Sequence, residues 1–193
     1  MAKTIYAVRP NLILGFHGCD KSLAERLVLG ADGLKSSTNG DDWLGDGVYF
    51  WENNVTRALE FAHEKMRRSP DVIKEPSVVG AILHLGNCLD LTDKEQLLEM
   101  EKAYEVLVGS YGNINRQIPK NKPSMLQRPL DCAVIKSLDE LCQEIGAAKY
   151  DSIRASFLEG EPLYPNAGIC KKNHIQICVR KPCCILGYFL PMR

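Results

Sequence analysis

The stretch Gly45-Asp46-Gly47-Val48-Tyr49-Phe50-Trp51 places two glycines in a polar turn directly before four residues that favour extended backbone. It predicts a turn feeding a strand over 48–51. Upstream, 12–18 (LILGFHG) is a short apolar run ending in His17 and Gly18, which suits a buried strand whose last side chain emerges at a sheet edge or cleft. Downstream, Asn53 and Asn54 are good N-cap residues. Val55, Leu59, Ala62 and Met66 then recur at three- to four-residue spacing, so 54–68 reads as an amphipathic helix with Glu60, Glu64, Arg67 and Arg68 on its polar face.

The rest of the chain follows the same cues. Ser22 with Glu25 and Thr92 with Glu95 have capping-box spacing, predicting helices that end at Gly30 and near Val108. Residues 31–47 and 109–128 read as loops, the second carrying Arg116, Lys120, Lys122 and Arg128 and no acid. Pro129 opens a further helix, expected to restart at Ser137 with Glu140 and to end near Gly146. Strands are expected over 78–85, 150–157, 174–179 and 184–190, the last two as partners, with 158–173 a loop. The fold class is α+β, helices early and strands concentrated at the end.

A length of 193 residues implies one domain spanning 1–193, and 45% hydrophobic with 25% charged residues is a globular composition. Lys plus Arg (24) equals Asp plus Glu (24), so no global field draws the chain to nucleic acid or an anionic membrane. The longest apolar stretch is too short to span a bilayer and residues 1–10 lack a signal core, giving the expectation of a cytoplasmic protein with no membrane partner. Eight cysteines occur without a CxxC pair. A metal site from Cys170, His174 and Cys178 is disfavoured by that spacing, and buried thiols acting as small hydrophobes are expected instead, with no metal.

GxSxG, HExxH, Walker and GxGxxG patterns are absent. What remains is a strand ending in Phe16-His17-Gly18, the turn and strand over 45–51, and a helix carrying Phe61, pieces that together can wall an aromatic cleft. In this order they resemble the signature of the ADP-ribosyltransferase superfamily, in the branch of diphtheria toxin and the poly(ADP-ribose) polymerases: His17-Gly18, then Gly45-Asp46-Gly47-Val48-Tyr49-Phe50, then Phe61 twelve positions after Tyr49.

That resemblance implies a split pair of small antiparallel sheets with peripheral helices and an NAD cleft between them. NAD would be the substrate, and a single ADP-ribose would pass to a protein or nucleic-acid acceptor with release of nicotinamide. His17 would bond the adenine-side ribose, Gly18 would offer its backbone to the carboxamide where a side chain would collide, and Tyr49 and Phe61 would sandwich the nicotinamide ring. A toxin or defence effector is the family-level analogy, with an inhibitory partner protein.

The family's late-strand Glu is missing. His174 and Gln176, two apart and on one face, occupy the strand that would carry it, and Gln176 would accept a ribose hydroxyl without supplying charge. Glu159 or Glu161 in the preceding loop would supply that charge, or both are solvated loop acids. Arg154, in an apolar strand, needs a partner: the NAD diphosphate, or a structural pair with Asp151 or Glu159. Two rival readings stand beside this one: an inactive NAD-binding module, and an NAD-dependent RNA 2′-phosphotransferase drawing on Arg9, Arg154 and the histidines.

Overall fold

The computed structural model describes residues 12–40, 42–123 and 126–192. Arg9 and the segment 1–10 lie outside them. Among the described residues seven strands and four helices follow in the order β1 (Ile13–Asp20), α1 (Lys21–Val28), β2 (Val48–Glu52), α2 (Val55–Arg68), β3 (Pro76–Leu83), β4 (Cys88–Asp90), α3 (Lys94–Asn113), α4 (Pro129–Glu144), β5 (Ser152–Phe157), β6 (His174–Val179) and β7 (Ile185–Phe189). The strands form one sheet in the order β4-β5-β6-β2-β1-β3-β7, antiparallel except for the parallel β4–β5 pair. The α+β class holds. The expected order holds at its end, where β5, β6 and β7 follow the last helix, while one mixed sheet stands where two antiparallel ones were expected.

The sheet nevertheless has a weak seam. β1 and β3 pair along eight residues, whereas β1 and β2 pair only at Gly15 with Glu52 and Phe16 with Trp51. Beyond that point the ladder gives way, and the His17 ring donates from Nδ1 to the Tyr49 carbonyl at 2.8 Å. β6 pairs with β2 and β5, and β7 with β3, so the expected β6–β7 partnership is wrong. Proximity in sequence favoured that hairpin. The Pro182–Cys184 turn instead sends β7 to the opposite edge.

Each half of the sheet has its own helical cover. α3 and α4 bury Ala103, Leu107, Ile135 and Leu138 against Leu89, Ile153 and Cys178 of β4, β5 and β6. α2 lays Ala58 on Phe16, Trp51 and Val78, and α1 sets Ala24 and Leu27 against Cys19 and Val79. Six cysteines, Cys19, Cys88, Cys132, Cys142, Cys178 and Cys184, are buried, as expected of small hydrophobes.

Caps and ends differ from the spacing rules. Asp20 caps α1 in place of Ser22, accepting from the Ser22 N–H and hydroxyl and from the Lys74 and Glu75 N–H groups of the loop before β3. Asp93 caps α3 in place of Thr92, and α3 runs past Gly109 and Gly112 to Asn113 because packing on α4 outweighs about 1 kcal/mol of helix propensity per glycine. Ser137 lies inside a continuous α4, its hydroxyl donating to the Ala103 carbonyl at 3.2 Å. The three-residue strand β4 has no signature of its own and was not expected.

The Gly45-Asp46-Gly47 turn is built by close approach. Gly45 sits at φ +75°, and a Cβ on Gly47 would stand 2.5 Å from Cys178 Sγ and 2.7 Å from the Val179 carbonyl oxygen, so only glycine lets the turn lie on β6. Tyr49 then fastens it: its hydroxyl donates to the Gly45 carbonyl at 2.7 Å and accepts from the Leu44 N–H at 3.1 Å. Burial holds this phenol well above its ordinary pKa, so it stays protonated.

Tyr49→Phe strands a buried N–H and a carbonyl and is expected to lower unfolding free energy by about 1–3 kcal/mol in urea titrations; an unchanged midpoint would count against the clasp. Asp20 is held well below the usual carboxylate range by its four hydrogen bonds, so its contribution is present above the unfolded pKa of about 4 and is lost as pH falls below it. Asp20→Ala is expected to cost about 1–2 kcal/mol at pH 7. The gap to wild type should close on acidification from about pH 4, and a gap that widens instead contradicts the assignment.

Candidate functional site

The seam opens into a cleft of about 680 Å³ whose walls include His17, Tyr49, Phe61, Gln176 and Glu159. Strand parity alone would separate two of these. Phe16 pairs with Trp51, so His17 and Tyr49 belong to opposite faces of a regular sheet, and they border one cavity because the strands part there.

The His17 Nδ1–H is committed to the Tyr49 carbonyl, which leaves Nε2 of the neutral ring as an acceptor. Burial lowers the imidazole pKa; the carbonyl bond opposes this, and the positive charge of Lys65 adds to it. A neutral ring is therefore the form presented at neutral pH. Gly18 does not border the cleft, and it has a packing task. A Cβ there would meet the Ala58 carbonyl oxygen at 2.1 Å, so the side chain it lacks would collide with α2 and not with a ligand.

Gln176 borders the cleft, and its Oε1 accepts from the Trp43 indole N–H at 2.6 Å. One lone pair of that oxygen is engaged, so the amide keeps a second acceptor position and its NH2 donors. His174 lies beneath, buried between Phe157 and Trp51, its Nδ1 donating to the Lys172 carbonyl at 2.7 Å and its pKa lowered mainly by burial. It does not border the cleft.

The two loop acids separate cleanly. Glu159 is bound through both oxygens to Arg57 Nη2 at 2.8 and 2.9 Å and borders the cleft, with its side chain 11% exposed. Glu161 is exposed and stands outside it; its carbonyl accepts from the Lys171 N–H as the 159–172 segment folds back on itself. Arg154 is also outside. It grips Glu52 at 2.6 and 3.1 Å and Asp90 at 3.2 Å, joining β2, β5 and β4, so its carboxylate partners are these and not Asp151 or Glu159.

Arg57 escaped sequence reading. It is 5% exposed, packs 5.8 Å from the Trp51 ring centroid, and has Glu64 at 3.5 Å and Glu60 at 3.8 Å besides Glu159. The i, i+3 spacing to Glu60 was its signal. The helix phase was also misjudged: Leu59 is exposed, while Arg57, Ala58 and Ala62 are buried. Trp43, an aromatic in a polar loop, packs against Phe157 with ring centroids 4.9 Å apart and planes inclined by 51°, and the Arg128 guanidinium caps both rings at 4.7 and 4.3 Å.

No cluster of three or more His, Cys, Asp or Glu among the described residues is placed to hold a metal ion, and no helix among them is long and apolar enough to cross a membrane. No family model matches the chain. An uncharacterized protein of Methanocaldococcus jannaschii is 30% identical over 95 residues, 48% of this chain and 43% of that protein, so the chain spans less than half the length of this relative. A crystal structure of an anti-CRISPR protein aligns with 94% of this chain and 98% of its own at 14% identity and a TM-score of 0.36, a distant likeness.

Proposed function

We propose that this chain is an NAD-dependent ADP-ribosyltransferase that transfers a single ADP-ribose to a protein or nucleic-acid acceptor and releases nicotinamide. One observation carries the proposal: His17, Tyr49 and Phe61, three residues spaced as in the resembling family, border a single cleft. Its volume is in the range that small-molecule sites occupy.

Breaking the bond between ribose and nicotinamide leaves positive charge on the sugar, and the departing ring takes the bonding electron pair as neutral nicotinamide. Glu159 places a carboxylate at the cleft that is clamped by Arg57, and it supplies the negative charge that Gln176 lacks. His17 Nε2 accepts from a ribose hydroxyl, and the Gln176 amide donates. Tyr49 gives an aromatic wall for the nicotinamide. Exposed Arg116, Lys120 and Lys122, on the loop whose Leu126 borders the cleft, suit an anionic acceptor. Arg154 is committed to Glu52 and Asp90, which weakens the 2′-phosphotransferase reading.

Nicotinamide release from NAD tests this directly. His17→Ala and Glu159→Gln are each expected to lower the rate by about 10²-fold or more, as loss of one buried polar or charged contact does. Glu161→Gln should remain near wild type, and Gln176→Ala should lose about tenfold. Circular dichroism checks that Glu159→Gln keeps its fold, since Arg57 is left without its charge partner. NAD binding by calorimetry without nicotinamide release would support the inactive binding module; neither binding nor release in the wild type ends both readings.

A further inference from the structure

α2 turns a stripe of Arg57, Phe61, Glu64, Lys65 and Arg68 toward the cleft, the spacing of one helix face. The charges on that stripe are not equally matched. Arg57 has its carboxylates, Glu64 also holds Lys172 at 2.6 Å, and across the cleft Arg26 holds Asp32 at 3.1 Å. Lys65 and Arg68 have no carboxylate within 4.0 Å among the described residues, and neither does Lys35 on the loop wall of the same cleft. Lys65 and Arg68 stand over the Phe61 ring at 5.9 and 6.0 Å from its centroid, and Trp51 lies 4.8 Å from the same ring.

Basic residues in a last helical turn are favoured by the helix dipole, which would explain any of them. It does not explain their direction. Arg67 and Arg68 are both exposed, yet only Arg68, whose Nε also donates to the Glu64 carbonyl at 3.4 Å, borders the cleft together with Lys65. Like charges three residues apart repel, so an anion between them recovers what the helix loses. We propose that Lys65 and Arg68, with Lys35 from the loop wall, form a subsite for the diphosphate of a nucleotide.

The proposal deepens the NAD reading and rests on it only for the rest of the ligand. Three cations repel the pyridinium form of nicotinamide, so the Phe61 end takes the anionic linkage and the nicotinamide lies toward Tyr49. The nicotinamide sandwich between Tyr49 and Phe61 then gives way to a single aromatic wall. His17 and Lys65 border the same cavity, so the ribose-binding imidazole and the diphosphate subsite belong to one ligand.

Calorimetry with inorganic pyrophosphate, ADP and adenosine, on wild type and on Lys65→Gln, Arg68→Gln, the double variant and Arg67→Gln, tests the subsite. Pyrophosphate and ADP are expected to bind, adenosine far more weakly. Each cleft substitution should weaken ADP about tenfold and the pair about 10²-fold, with a shallower salt dependence and no change for Arg67→Gln. Wild-type affinity in the double variant, equal losses from Arg67→Gln, or no binding of pyrophosphate and ADP to the wild type would each overturn it. So would an oligonucleotide without terminal phosphates that displaces ADP at lower concentration than pyrophosphate does. If the pyrophosphate pattern is found but no nicotinamide is released from NAD, the transferase reading fails and the subsite stands.

Discussion

Where β1 and β2 stop pairing, a side chain takes over from the backbone ladder. The His17 Nδ1–H bonds the Tyr49 carbonyl that a continued ladder would have served, so a buried acceptor is satisfied while the strands remain apart. Everything in the cleft depends on this substitution. It fixes the tautomer of the histidine, it leaves the opposite nitrogen as an acceptor, and it brings residues of both sheet faces to one cavity. Gly18 contributes from behind, since α2 seats closely on β1 only where no Cβ intervenes.

The second constraint is the buried guanidinium of Arg57. A charge at that depth is tolerated because Glu159 meets it with both oxygens and Glu64 and Glu60 stand nearby. The ion pair therefore ties the segment after β5 to α2, on the other half of the sheet, across the seam. Folding and site assembly are coupled here: the 159–172 segment holds Glu159 at the cleft only while α2 is in place.

Much of this was legible from local chemistry. The strand at 174–179, the helix closing at Arg68 and the turn before Val48 each have a periodic or glycine signal that burial then reinforces. Three kinds of feature were not legible. Caps slipped by a residue or two because Asp20 and Asp93 compete with the hydroxyls beside them, and Asp20 is chosen by loop N–H groups more than fifty positions away. Strand partnership is non-local, so β7 was assigned to its neighbour in sequence and the parallel β4 escaped notice. At the cleft, His17, Tyr49 and Phe61 were singled out by the family resemblance, and all three border it. Arg57 and Trp43 were missed because their roles come from partners, Glu159 and Gln176, more than one hundred residues downstream.

The Trp43–Gln176 contact also has an optical meaning. The chain has two tryptophans, and both border the cleft: Trp43 through its bond to the Gln176 amide, Trp51 through its packing on Phe61 and Arg57. The intrinsic indole fluorescence of the whole protein thus originates from the walls of one cavity. Any molecule that enters it changes the polarity and quenching around both emitters at once, which gives the protein a label-free reporter of occupancy with no background from elsewhere in the fold.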